Sequence, residues 1–226
     1  MIKALIYKDA TIRILRIACI LALCWVAIVY VVARLPISLD FSGTNPLNAE
    51  SSVALASQAL VIIAAVLANI DINSGEPAIA ALVAGSRCRT AAALMTAKIV
   101  IILVFGLLLT MVGTIGNAIV YERGSTGRLV LQYMALATLN GVAALSLSLL
   151  AGNVLLGLSV YFLVPILLKP FIVYLAPATS GLFYSTAIRA MVHGTTPLPN
   201  LSVLFGWLFT FLLAGYLSIV MRILDR

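Results

Sequence analysis

Few residues in this chain are of a type that does covalent chemistry, and none is spaced for it. His193 is the single histidine, which removes a His-rich metal site and a His-paired proton relay. It stands beside Gly194 and reads as an exposed loop residue. Cys19, Cys24 and Cys88 fit no metal-site spacing. The first two lie in one apolar stretch and the third in a polar loop, so they read as small hydrophobes and a free thiol. A G-x-x-x-x-G-K-[ST] loop is missing, so the chain has no means of cradling nucleotide phosphates in that manner. H-E-x-x-H and G-x-S-x-G are missing too. The expectation is a protein that is not an enzyme, with neither metal nor cofactor bound to this chain.

Toward the middle of the apolar runs the polar residues are neutral, among them Gln58, Thr110, Thr114, Asn140, Ser146 and Ser148, with Gln132 nearer a run's end. Each has two readings. It makes a hydrogen bond between helices, worth about 1 kcal/mol or less in a membrane, or it lines a path for a substrate. Gln58, Thr110, Thr114 and Asn140 are the candidates for such a path. Without an acid or base at mid-membrane depth there is no evident way to couple transport to protons. A pump built on this chain would draw its energy from a partner.

The elements that hold these residues follow from composition. The 226 residues are 63% hydrophobic and 9% charged, against roughly 45–50% and about 25% in soluble domains. A water-soluble fold of this size has nowhere to hide so much apolar surface, so the expected solvent is lipid. The formal charge of +7 suits a membrane face with anionic headgroups. No basic run is interleaved with aromatics, so nucleic acid is not an expected partner. A helical span needs about 20 apolar residues, and six are predicted: 17–35, 51–70, 99–121, 129–150, 154–168 and 201–221. The first is too long for a signal-peptide core and no small-residue cleavage site follows it.

Two regions are neither simple loops nor simple spans. Asp71–Lys98 surrounds the short apolar segment Ala78–Ala84 with Asp71, Glu76, Arg87, Arg89 and Lys98. It reads as a short helix at the membrane surface followed by a charged turn. Lys169–Asn200 is broken by Pro170, Pro177, Gly181, Gly194, Pro197 and Pro199, and reads as a re-entrant hairpin between spans five and six. Basic residues set the orientation: nine lie on the side of the N-terminus and five on the other, which puts both termini and the 71–98 loop in the cytoplasm. Ala64 with Ala68, and Ser52 with Ala56, form small-xxx-small pairs suited to close helix contact, including contact with a second copy. The expected fold is an all-α integral membrane protein of six transmembrane helices in one domain, residues 1–226, multi-pass in the cell membrane.

The stretch DINSGEPAIAALVAGSRCRTAAALMTAK, residues 71–98, resembles the cytoplasmic loop between the second and third spans of ABC type-2 exporter permeases. Gly75-Glu76, the short helix Ala78–Ala84, Ser86-Arg87 and Lys98 fill the family's places, while Gly85 stands where many members have proline. The segment 1–16 looks like the family's interfacial N-terminal helix, and 169–200 looks like its external re-entrant hairpin. The resemblance implies a permease subunit that works as a homodimer or related heterodimer with a cytoplasmic ABC ATPase subunit. ATP and Mg would sit on that partner. The 71–98 loop would carry the coupling helix, with Glu76, Ile79, Leu82, Ser86 and Arg87 meeting the ATPase. The apolar, neutral interior points to an amphipathic, lipid-like, peptide or drug substrate rather than a small ion.

Two other classes stand beside this one. A haem-exporter-like cytochrome maturation protein shares the length and a similar loop. A non-transporting membrane scaffold or sensor would have no ATPase partner and no nucleotide-dependent change.

Overall fold

The computed structural model describes residues 13–34, 52, 55–70, 85–121, 127–183, 186–187 and 198–224. Among these residues there are six α-helices and no strand: α1 (Arg13–Arg34), α2 (Ala59–Asn69), α3 (Arg87–Tyr121), α4 (Gly127–Ala151), α5 (Val154–Leu175) and α6 (Leu198–Leu224). A 3₁₀ segment, Pro177–Leu182, follows α5. All but α2 are long and apolar enough to cross a membrane, which fits a multi-pass membrane protein. In hydrocarbon no water is present to satisfy backbone groups, so uncharged apolar runs of this length form helices that bond internally. α2 is shorter, with 11 residues. Leu55–Ser57 prolongs it through a tight turn in which Gln58 N donates to Leu55 O and Val61 N to Gln58 O. Residues 51, 53 and 54 of the expected second span lie outside the described residues.

Side-chain contacts fix the direction of each helix. Going up α3, Lys98 meets Leu67, Ile102 and Gly106 sit near Leu60, and Gly113 meets Tyr133. α2 and α4 therefore run opposite to α3. Gly157 and Tyr161 of α5 meet Ser148 and Asn140 of α4, so those two are antiparallel as well. α1 rises with α3, since Trp25 reaches Leu55 and Tyr30 covers Gly116. α6 descends with α4, because Gly215 lies by Ser146 and Arg222 by Leu149. One end of the bundle thus gathers the starts of α1, α3 and α5 and the ends of α2, α4 and α6. It holds Arg13, Arg16, Arg87, Arg89, Lys98 and Arg222, and is the basic end.

α2 is the centre. It packs against α1, α3, α4 and α5, while α4 packs against α2, α3, α5 and α6. Within Ala59–Asn69 only Ile62 and Val66 escape full burial. Ala64 and Ala68 are sealed inside the chain's own core, so they are not available to a second copy. The outer helices show the reverse pattern. α6 exposes Phe205, Phe209, Leu213, Leu217 and Met221 at a spacing of four, and α5 exposes Leu163, Ile166, Leu167, Phe171 and Leu175. In water such faces would associate; lipid tails suit them.

Two boundaries differ from those expected. α3 begins at Arg87, not at Ile99. Arg87–Lys98 is helical and continuous with the span, because its arginines, lysine, alanines, leucine and methionine are good helix formers and no glycine or proline interrupts them. α5 runs to Leu175, well past Leu168, and takes in both Pro165 and Pro170. A proline deletes one helical hydrogen bond, yet membrane helices tolerate it. Lys169–Leu175 therefore extends the helix instead of opening the hairpin. Beyond it the chain turns back, so that Lys169 Nζ donates to Thr186 Oγ1 at 2.7 Å and lies 5.9 Å from the centre of the Phe183 ring. Trp207 Nε1 donates to Leu182 O at 2.8 Å, tying this turn to α6. Residues 188–197 of the expected hairpin lie outside the described residues.

Candidate functional site

The basic end is built on α3. At 35 residues the helix is about 52 Å long at 1.5 Å per residue, against a hydrocarbon core of about 30 Å. Its exposed face changes character along its length. From Leu103 upward it shows Leu103, Val104, Leu107, Leu108, Met111, Val112, Ile115 and Ile119. Below that point the exposed residues are Arg87, Cys88, Arg89, Ala92 and Thr96. The switch falls around Lys98, and the 11 residue steps from Arg87 to Lys98 amount to about 16 Å. α3 therefore carries a polar extension beyond its lipid-type surface.

The extension starts cleanly. Gly85 has φ +64°, a left-handed conformation that glycine takes freely and proline cannot. Ser86 then opens the helix: its Oγ accepts from Arg89 N at 3.4 Å and its carbonyl from Thr90 N at 3.2 Å. Of the expected coupling residues, Ser86 is thus a helix-capping residue and Arg87 an exposed residue of the first turn. Glu76, Ile79 and Leu82 lie outside the described residues, as do 71–84 as a whole.

In the sequence Lys98 is one of the charges of the 71–98 loop. In the structure it is 2% exposed, and its ammonium donates to the Leu67 carbonyl in the last turn of α2 at 2.6 Å. That carbonyl is one of the four that a helix leaves without an internal partner, and a cation there also complements the helix dipole. Nearby on α2, Asn69 is buried with its Nδ2 on Ala65 O, while its Oδ1 has no partner among the described residues. α4 ends in the same way. Arg222 of α6 donates to Leu149 O at 3.0 Å, and Ser218 Oγ donates to the same carbonyl at 2.8 Å. Both descending central helices are therefore closed at the basic end by a cation from a neighbour.

In the interior the expected path residues separate. Asn140 is 5% exposed and joins three helices: its Nδ2 donates to Ser57 Oγ at 3.2 Å and its Oδ1 accepts from Tyr161 Oη at 2.9 Å. Gln58 is half-buried next to Ser57 and is the one candidate brought close to Asn140. Thr110 and Thr114 each donate to a carbonyl of their own helix, Gly106 and Met111. A second polar contact lies toward the far end, where the Tyr30 and Tyr133 hydroxyls are 2.9 Å apart. The Tyr30 ring rests on Gly116, and Gly113 makes room for Tyr133, so these glycines seat aromatic rings rather than loosen the helix. Tyr30, Tyr133, Tyr161, Lys98 and Arg222 were not foreseen as contacts. A tyrosine spaced among small residues on a facing helix is the only trace the sequence carries. No protein family, curated protein or solved structure matches the chain.

Proposed function

We propose that this chain is the transmembrane permease subunit of an ATP-driven ABC exporter, moving an amphipathic substrate with energy from a separate cytoplasmic ATPase. The observation that carries the reading is the polar extension of α3, Arg87–Ala97, at the basic end. On this reading that end faces the cytoplasm, by the positive-inside rule. The end of α2 and the start of this extension both lie at the basic end, and residues 71–84 join them in sequence. The interior supports an external energy source: Ser57, Asn140, Tyr161, Tyr30 and Tyr133, which join the helices there, are all uncharged at neutral pH. Glu76, Ile79, Leu82, Ser86 and Arg87 are the proposed ATPase contacts, and a second permease chain completes the transporter. Together with 17–35 and its counterparts, 51–70 counts as the second of six spans. Co-expression with a cognate ABC ATPase subunit tests the reading. The expected result is a complex that survives detergent and hydrolyses ATP at a rate the permease alters.

A further inference from the structure

We infer that Lys98 is a positioning residue: it pins the buried helix α2 to α3, so that displacement of the α3 extension is delivered to the centre of the bundle. The inference rests on the permease reading. A lysine with 2% exposure in a membrane bundle is costly to keep, and an intramembrane or boundary charge of this kind calls for a function. Its ammonium is held at 2.6 Å from the Leu67 carbonyl, and Leu67 is not its sole partner.

The surroundings make the contact a mechanical joint. α3 is unbroken from Arg87 to Tyr121, so its polar extension and Lys98 move as one rod. α2 has almost no lipid-facing surface of its own, so apart from the chain at its two ends force reaches it through neighbouring helices. At its other end α2 is held by Trp25 of α1, whose Nε1 donates to Leu55 O at 2.9 Å, and between these points Ser57 is bonded to Asn140 of α4. Apolar packing between the helices also resists displacement, but it is spread over many weak contacts. A short charge-assisted hydrogen bond to a fixed carbonyl adds one strong, directional tie. Among the hydrogen bonds described, the Lys98 bond ties α2 directly to α3. A pull on Arg87–Ala97 is then passed to α2 and on to the Asn140–Tyr161 contact.

The test uses full-length chain in phosphatidylethanolamine–phosphatidylglycerol nanodiscs with its co-expressed ATPase, comparing the parent with Lys98→Arg and Lys98→Met. Hydrogen exchange is followed over residues 59–70, with and without ATP plus orthovanadate. In the parent, nucleotide should change the exchange of this segment. Lys98→Met should retain the ATPase, exchange roughly tenfold faster at the last turn of α2, and lose the nucleotide response; Lys98→Arg should keep it. If Lys98→Met fails to insert, Lys98→Gln, which removes the charge and shortens the side chain by one atom, replaces it and should likewise lose the response. A nucleotide response that persists in Lys98→Met, or one that is missing from α2 in the parent, overturns the inference and leaves the permease reading standing. If the parent binds no ATPase, the permease reading falls and the inference falls with it.

Discussion

The guanidinium of Arg222 on α6 closes the C-terminus of α4, with Nη2 at 3.0 Å from the Leu149 carbonyl. The turn beneath it is Gly152, at φ +68°, where an added Cβ would strike the same guanidinium. Arg222→Ala should cost about 1–2 kcal/mol, as loss of a partly exposed charge-assisted hydrogen bond at a helix end. Gly152→Ala should cost about 2 kcal/mol in the parent, from left-handed strain plus the collision. In the Arg222→Ala background only the strain of roughly 1 kcal/mol remains. A double-mutant cycle on detergent-solubilised protein measures the coupling. Additive losses would show that the two residues do not meet.

Asn140→Leu should destabilise the bundle by about 1–3 kcal/mol, because it orphans the buried Tyr161 hydroxyl and leaves Ser57 with one partner fewer. Tyr161→Phe removes one donor and should cost less, about 0.5–1 kcal/mol. Thermal unfolding in mild detergent checks the order. Unchanged stability in Asn140→Leu would count for the alternative role of this residue as a lining of the substrate path.

Gly157 on α5 sits tightly against Ser148 of α4, and its substitution should be damaging. A Cβ there would lie 2.6 Å from Ser148 Cα, and backbone cannot rotate aside as a side chain can. Gly157→Ala should cost about 1–3 kcal/mol. Ser148→Gly should relieve only part of it, since Oγ and Cβ are removed but the Ser148 Cα stays in the way. Complete rescue by Ser148→Gly would show that the main chains approach less closely than this.

How much of this was legible in the sequence depends on which force decided each feature. The long spans were readable because uncharged runs such as 101–120 leave lipid as the only suitable solvent. The turn at Gly152-Asn153 was readable from its residue types, and Asn153 caps α5 by accepting from Leu155 N. The start of α3 was not, because Arg87, Arg89 and Lys98 mask a helix whose inward positions, Ala91, Leu94 and Met95, are buried against the bundle. Nor was the end of α5: proline is the strongest local breaker in water, but Pro165 and Pro170 yield to the demand for helix in an apolar medium. Lys98 and Arg222 were the least legible. Their partners are main-chain carbonyls 31 and 73 residues away in sequence, and a carbonyl has no side-chain type to read.

On the proposed reading the basic end faces the cytoplasm. Cys88 is exposed there, so a membrane-impermeant maleimide should label it only after cells are permeabilised. In a Cys88→Ser background, Ser42→Cys should be labelled on intact cells. Labelling of Ser42→Cys solely from the cytoplasm would invert the topology.

The most direct measurement of the central claim is the amount of co-expressed ATPase retained by the tagged chain in a detergent pull-down, for the parent, Arg87→Ala, Arg87→Glu and Glu76→Ala. The account predicts a stable complex for the parent, weaker retention for Arg87→Ala and Glu76→Ala, and the weakest for Arg87→Glu, whose reversed charge faces an acidic partner surface. Partly desolvated charge-assisted contacts of about 1–3 kcal/mol each set the scale of the loss. The chain alone should neither bind nor hydrolyse ATP. Equal retention by all four proteins would remove these residues from the coupling contact. A parent that retains no ATPase, or an isolated chain that hydrolyses ATP, would contradict the account.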